Sequence, residues 1–163
     1  MTDDEPAIRR LCVAAAGCAR GDLDAILADL CRSAGLERLL WNDPSAEPRV
    51  GVLPPGFDEP RLVGDIITRT LAAVRRRRRR GGDVAVRLAL HEGLTVMAGG
   101  QFGGPGVNAV RALCGVGAYP VPLAVVISGR LFDDVAALGG DEPALRRFRP
   151  AGPGSWLALF GEG

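Results

Sequence analysis

The chain has 163 residues, 47% of them apolar and 24% charged, which suits one domain with a real core and leaves little room for two. Its 23 glycines and 12 prolines stay below the share that marks collagen-like or low-complexity chains. Twenty basic residues against 19 acidic ones leave a net charge of +1, so no global field draws in nucleic acid or acidic lipid, and any such attraction has to be local.

Residues 1–8 are expected to form a disordered tail. The first six residues are acidic and lack an apolar run, so they read neither as a secretory signal nor as a transit peptide. The longest apolar stretches, such as 121–127, are far short of a membrane span, and the chain is expected to be cytoplasmic. All its basic residues are arginine, which together with heavy use of alanine, glycine and valine reads as codon bias.

A first strand is expected over 11–16, ending at Gly17. Leu23, Ile26, Leu27, Leu30, Cys31 and Ala34 then recur at helical steps, with Asp22 placed to cap the helix and Gly35 to stop it. A short strand over 37–41, a polar turn over 42–48 and a second strand over 49–53 follow, closed by Pro54 and Pro55. The next helix carries Val63, Ile66, Ile67, Thr70, Leu71 and Val74 on one stripe, with Asp58 as cap and an arginine run before Gly81 and Gly82. From Val84 the period changes to two, placing Val84, Val86, Leu88 and Leu90 on one face and Ala85, Arg87, Ala89 and His91 on the other. Glu92 and Gly93 are expected to interrupt this strand, with 94–97 returning antiparallel. A glycine-rich loop over 99–106 opens a short helix bearing Val107, Val110 and Cys114. A buried strand over 123–127 comes next, then a helix on Leu131, Phe132, Val135 and Leu138 that ends at Gly139 and Gly140. The alternation of Trp156, Leu157, Leu159 and Phe160 marks an edge strand or hairpin. This order predicts an α+β fold of ferredoxin-like flavour, a mixed sheet with helices packed mainly on one face.

Few local motifs carry chemistry. Cys12, Cys18, Cys31 and Cys114 form no C-x-x-C pair and the only histidine is His91, so zinc-ligand spacing is absent and no metal or cofactor is expected. The cysteines read as free thiols in a reducing compartment, with Cys12 and Cys31 among apolar neighbours. Gly104, Gly106 and Ala109 imitate a relaxed dinucleotide fingerprint, but no acid follows at the required distance, and a turn that needs glycine conformations explains them better. His91 and Glu92 are adjacent on a strand and so face opposite ways. Arg75, Arg76, Arg77, Arg78, Arg79 and Arg80 form a candidate phosphate or nucleic-acid patch; the competing reading is a solvated helix end favoured by the macrodipole.

Residues 86–93 (VRLALHEG), followed by 103–108 (GGPGVN), resemble the central motif of class III nucleotide cyclases. Leu53-Pro54-Pro55, Arg61-Leu62-Val63-Gly64, the run 122–128 with Leu131-Phe132-Asp133, and the closing Phe148-Arg149-Pro150 with Trp156-Leu157 are similar to a divergent actinobacterial group of that family. The resemblance covers most of residues 9–160, which are expected to form a single cyclase-homology domain. It implies two metal-binding carboxylates, and their positions fall near Ala16 on the acid-free first strand and near Glu47. It also implies an asparagine and, four residues later, an arginine on one helix. Asn108 matches, whereas the later position is Ala112 and the nearest arginine is Arg111.

The expectation is therefore a degenerate scaffold that is not an enzyme by itself, a regulatory or protein-interaction module. Asn108 and Arg111 are the vestigial nucleotide-cleft candidates. A nucleotide sensor or one half of a composite cyclase is the alternative, and a nucleic-acid binder using the arginine run is the third reading. The resemblance implies a homodimer or docking on a homologous partner, with Val96, Met97 and Phe102 as an exposed apolar tip; an unrelated protein partner is the other expectation, and the short apolar stretches predict no membrane contact.

Overall fold

The computed structural model describes residues 6–115, 117–139 and 142–162. Its centre is a pair of long antiparallel strands, β1 (Ile8–Ala16) and β4 (Val86–Ala98), matched over nine residues from Ile8 opposite Thr95 to Ala16 opposite Arg87. Strand β1 is apolar on both faces and buried from Leu11 onward, as a strand covered on both sides must be. Outside it lie β3 (Arg49–Val52) and then β2 (Leu40–Trp41); beyond β4 come β6 (Leu123–Ser128), β8 (Ser155–Phe160) and β7 (Arg149–Pro150). Among the described residues only β4 and β6 run parallel, joined by the crossover through α3 (Pro105–Gly115); the remaining pairs are antiparallel, including the side hairpin of β4 with β5 (Gln101–Gly103).

The alternation along β1 divides the core. Leu11, Val13 and Ala15 join Leu88 and Leu90 of β4 under α1 (Arg20–Ala34) and α2 (Glu59–Arg79), with Leu131 and Val135 of α4 (Gly129–Leu138) in the same cluster. Cys12, Ala14 and Ala16 turn to the other face, where Val107, Val110 and Cys114 of α3 cover them. Three helices on one face and one on the other make the expected mixed sheet with helices mainly on one side, an α+β fold.

Several local expectations change. The tail ends earlier than expected because Ile8 already pairs with Thr95; residues 1–5 of that tail, and Gly140 after α4, lie outside the described residues. The helix α1 begins at Arg20 with Ala19 at the cap position, and Asp22 sits inside the first turn, where it accepts from Arg77 instead of capping. Gly35 does stop the helix, in the left-handed conformation at φ 69°, and Asp58 caps α2 by accepting from Arg61 N. The short strand is confined to Leu40 and Trp41. Leu138 is exposed rather than part of the α4 stripe.

The largest correction concerns Glu92 and Gly93, which do not interrupt β4. The strand runs on to Ala98 and reverses at Gly99 and Gly100, both at positive φ. Gly93 is glycine for another reason: a Cβ there would stand 2.7 Å from Gly106 Cα, and one on Gly106 would stand 2.9 Å from the Gly93 carbonyl carbon. The first turn of α3 thus rests backbone against backbone on β4. Replacing Gly106 with alanine must lift the helix, and we expect a loss of about 1–3 kcal/mol, read in urea as a lower midpoint and on heating as roughly 2–4 °C per kcal/mol. Gly103→Ala, which meets open space, is expected to leave the midpoint unchanged.

Candidate functional site

At the end of β1 the β2–β3 turn meets the first turns of α1, while α3 covers β1 from the face opposite α1 and α2. The turn is built by Asp43, whose carboxylate accepts from the backbone N and Oγ of Ser45 at 2.8 and 2.6 Å, an Asx turn. Just before it, buried Asn42 donates through Nδ2 to Phe102 O at 2.7 Å and accepts from Phe102 N at 3.0 Å. One side-chain amide here takes the place of a ladder residue and ties the β2–β3 turn to the β4–β5 hairpin. Sequence reasoning missed this role, since an asparagine before a turn signals only the turn. It also corrects the expected apolar tip: Phe102 is buried and Arg10 lies over its ring, 5.3 Å from the centroid.

The two positions expected to carry carboxylates are neighbours. Ala16 closes β1, enclosed beneath α3, and the next residue, Gly17, donates its N–H to Glu47 Oε1 at 3.4 Å. Around Glu47 the recess is lined by Cys18, Arg20, Ser45 and Arg49; Arg20 donates to Ser45 O at 3.3 Å and Arg49 pairs with Asp24. A divalent ion shared by this fold's expected pair would need two carboxylates. The donor set here is one carboxylate flanked by two guanidiniums, and Ala16 offers no ligand atom. Among the described residues no three His, Cys, Asp or Glu side chains lie where they could hold one ion. The residues present therefore do not fit the metal pair.

The thiols bordering this region are poor nucleophiles. Burial pushes Cys12 up to about 12 and, as the largest cause, Cys18 and Cys114 up to about 11, with Glu47 adding to the rise at both. Cys12 and Cys114 are buried as free thiols, while Cys18 and Cys31 are only partly so.

On α3, Val107, Val110 and Cys114 face the sheet, and Asn108, Arg111 and Ala112 are exposed. The side chains of Asn108 and Arg111 sit three residues apart, hence on one side of the helix. The C-terminal end of α3 is tied down by Arg87, which donates from Nε to Cys114 O at 3.0 Å and so satisfies a carbonyl of the last turn. Gly104 adopts φ 94°, the turn conformation that explains the glycines better than a dinucleotide fingerprint. Gly106 is glycine because its backbone packs directly on Gly93.

His91 and Glu92 do diverge. Glu92 pairs with Arg9 at 3.6 Å, whereas His91 turns beside Gly93, its Nδ1 buried and without a partner among the described residues. The arginine run is also divided. Arg77 donates to Asp22 at 2.6 Å, Arg78 to Val84 O and to Glu162, Arg75 to Gly161 O, and Arg76 to Asp29 at 3.4 Å. Much of the supposed patch is thus engaged within the chain.

No family model and no curated protein matches the chain. Its structure is similar to an adenylate/guanylate cyclase/hydrolase from Silicibacter pomeroyi, with TM-score 0.62 and 17% identity over 94% of this chain and 99% of that one. It is similar to the monomeric guanylyl cyclase domain of the RhoGC fusion protein from the aquatic fungus Blastocladiella emersonii, with TM-score 0.61 and 10% identity over 95% of each. The adenylyl cyclase CyaB from P. aeruginosa gives 0.55 and 11% over 97% of each. The fold is that of nucleotide cyclase domains, and no described helix is long and apolar enough to cross a membrane.

Asn42→Ala strands a buried N–H and carbonyl of Phe102, and we expect about 2 kcal/mol of destabilisation in chemical denaturation. His91 supplies a pH test. Burial, the largest cause, lowers its imidazole pKa from 6.5; Glu92 pulls it up and Arg9 pushes it further down. Below that value the unfolded chain takes up a proton that the folded one refuses, so the stability is complete above pH 6.5 and declines as pH falls toward the depressed folded value. His91→Gln is expected to flatten the stability profile below about pH 6.5.

Proposed function

We propose that the chain is a non-catalytic regulatory or protein-interaction module on a nucleotide-cyclase scaffold. The observation that carries this reading is the end of β1, where an enclosed alanine and a single glutamate held by Gly17 N–H stand at the expected metal-binding pair. Phosphoryl chemistry of this kind is mostly charge stabilisation and positioning. The helix that would supply a matched asparagine and arginine offers Asn108 and, four residues on, Ala112. Folds keep their architecture while sites change, and the likeness to known cyclases, at 10–17% identity, supports the scaffold.

A second reading rests on one specific observation. Asn108 and Arg111 are exposed on one side of α3, and neither side chain has a partner among the described residues. That leaves both available to a nucleotide, or to a second chain that contributes carboxylates across a shared cleft. Association with a homologous partner or a second copy is part of the proposal, although one structural relative is itself described as monomeric.

The test is incubation of the purified chain with ATP or GTP and magnesium or manganese, with product read by mass spectrometry. The expected outcome is no cyclic nucleotide above background, and metal-dependent turnover abolished by Glu47→Gln would overturn the proposal. A thermal shift with one nucleotide, lost in Asn108→Ala, selects the second reading, since a ligand of the native state raises apparent stability. Light scattering at micromolar concentration reports whether two copies associate.

A further inference from the structure

We propose that the exposed side of α2 docks on the phosphate backbone of duplex nucleic acid, independently of base sequence. Arg61, Arg69, Arg76 and Arg79 are exposed on this 21-residue helix, and Arg80 is exposed at its C-cap. At 100° per residue they fall within an arc of roughly 100°, and the row extends about 29 Å from end to end. Asp65 is the only acidic residue in that arc. Among the described residues the side chains of Arg61, Arg69, Arg79 and Arg80 have no ion pair or hydrogen bond, while Arg76 reaches Asp29 at 3.4 Å. On a chain of net charge +1, this concentrates basic charge along one line.

The stripe is not the arginine run. Arg77 and Arg78 of the run are turned to Asp22 and to Val84 O, and Arg75 to Gly161 O. Two members of the stripe, Arg61 and Arg69, come from earlier turns of the helix, brought into line by its period. At the C-terminal end Arg76 and Arg80 border a recess that also holds Asp29, Arg32 and Ser33 of α1, where Asp29 pairs with both Arg32 and Arg76, so the unpaired charge of the stripe lies on Arg61, Arg69, Arg79 and Arg80.

Shape and chemistry choose the ligand. A row of about 29 Å spans most of one turn of duplex, roughly 34 Å, and planar guanidiniums match phosphate oxygens in pairs. Thr68 and Ala72 are the exposed residues between the arginines. The stripe has no aromatic ring on which a single strand could stack its bases, and no amide to read base edges. None of the exposed large apolar residues, Ile8, Leu40, Phe57, Leu94, Leu138 and Leu159, lies on α2, so this surface lacks the side chains that would anchor it in a lipid headgroup layer.

The experiment is fluorescence anisotropy with a labelled random-sequence duplex about two turns long, titrated with the full chain. Neutralising four phosphates gives a slope of about −3.6 in log K against log salt, a fall of roughly 150-fold between 50 and 200 mM NaCl. The double variant Arg61→Gln, Arg69→Gln should keep its melting temperature, lose at least about tenfold in affinity and have a slope shallower by roughly 2. Arg38→Gln, at an exposed arginine outside α2, should bind as the parent does. Absence of binding at the lowest salt, equal binding by the double variant, tighter binding of a single strand, or binding only to phosphatidylserine vesicles would each overturn the proposal. None of these readouts involves cyclic nucleotide.

Discussion

The distance between α3 and the sheet is set by small side chains. Cys12, Ala14 and Ala16 of β1 and Ala89 of β4 form the floor beneath Val107, Val110 and Cys114, and Gly93 meets Gly106 with no side chain between them. Close approach of this kind gains dispersion contacts over the whole interface, and it fixes the rest of this face. With α3 low on the sheet, Arg87 reaches the Cys114 carbonyl and Ala16 is covered. The outward side of the helix, with Asn108 and Arg111, is left as the surface of the candidate site. An apolar residue at the end of β1 and a close-packed α3 therefore belong to one packing solution.

The opposite layer follows a different logic. Its adhesion comes from the large buried side chains of α1, α2 and the sheet, Ile26, Leu30, Ile66 and Ile67 among them, each 1% exposed or less. Burying a side chain of this size contributes about 1.5–3 kcal/mol. The ion pairs of Arg76 with Asp29 and Arg77 with Asp22 add little individually, since exposed pairs contribute about 0–1 kcal/mol. What they do is sort a uniform run of arginines by direction. The helical period turns some guanidiniums toward α1 and the chain end and leaves others in solvent, which a reading of the run as one patch could not show.

Elements with strong periodicity were legible from the sequence: α1 and α2, the buried strand β6, and the alternation that begins β4. The misreadings share a physical cause. Glycine disfavours strands, so Gly93 predicts a break, while its role is to admit the backbone of Gly106 from the next helix. Asp22 was read as a cap because helix starts favour aspartate, while its partner is an arginine 55 residues later. Asn42 is invisible for the same reason, since its hydrogen bonds cross 60 residues. Of the candidate site, the absence of an acid on β1 and the exposure of Asn108 and Arg111 could be anticipated from residue type and helical phase. The convergence of Glu47 with Gly17, and of Arg20 and Arg49 with both, could not, because turn conformation and not local pattern decides where those side chains point.

The two surfaces proposed for binding lie on opposite sides of the sheet, α3 on one and α2 on the other, and a single link connects their neighbourhoods. Arg77 leaves α2 for Asp22 in the first turn of α1, and Asp22 and Arg77 both act electrostatically on Cys18, which borders the Glu47 recess. Energetic coupling between two sites needs an element with two arrangements whose balance both ligands can bias. Arg77 is half-buried between two helices whose facing residues form one close-packed cluster, and close-packed interiors resist graded deformation. In that setting the close-packed cluster fixes how α1 crosses α2, and Arg77, paired with Asp22 at its margin, has no second partner to move to among the described residues. Charge changes on the outer side of α2 are therefore felt at the recess only through solvent, where screening at physiological salt limits their reach to about 8 Å.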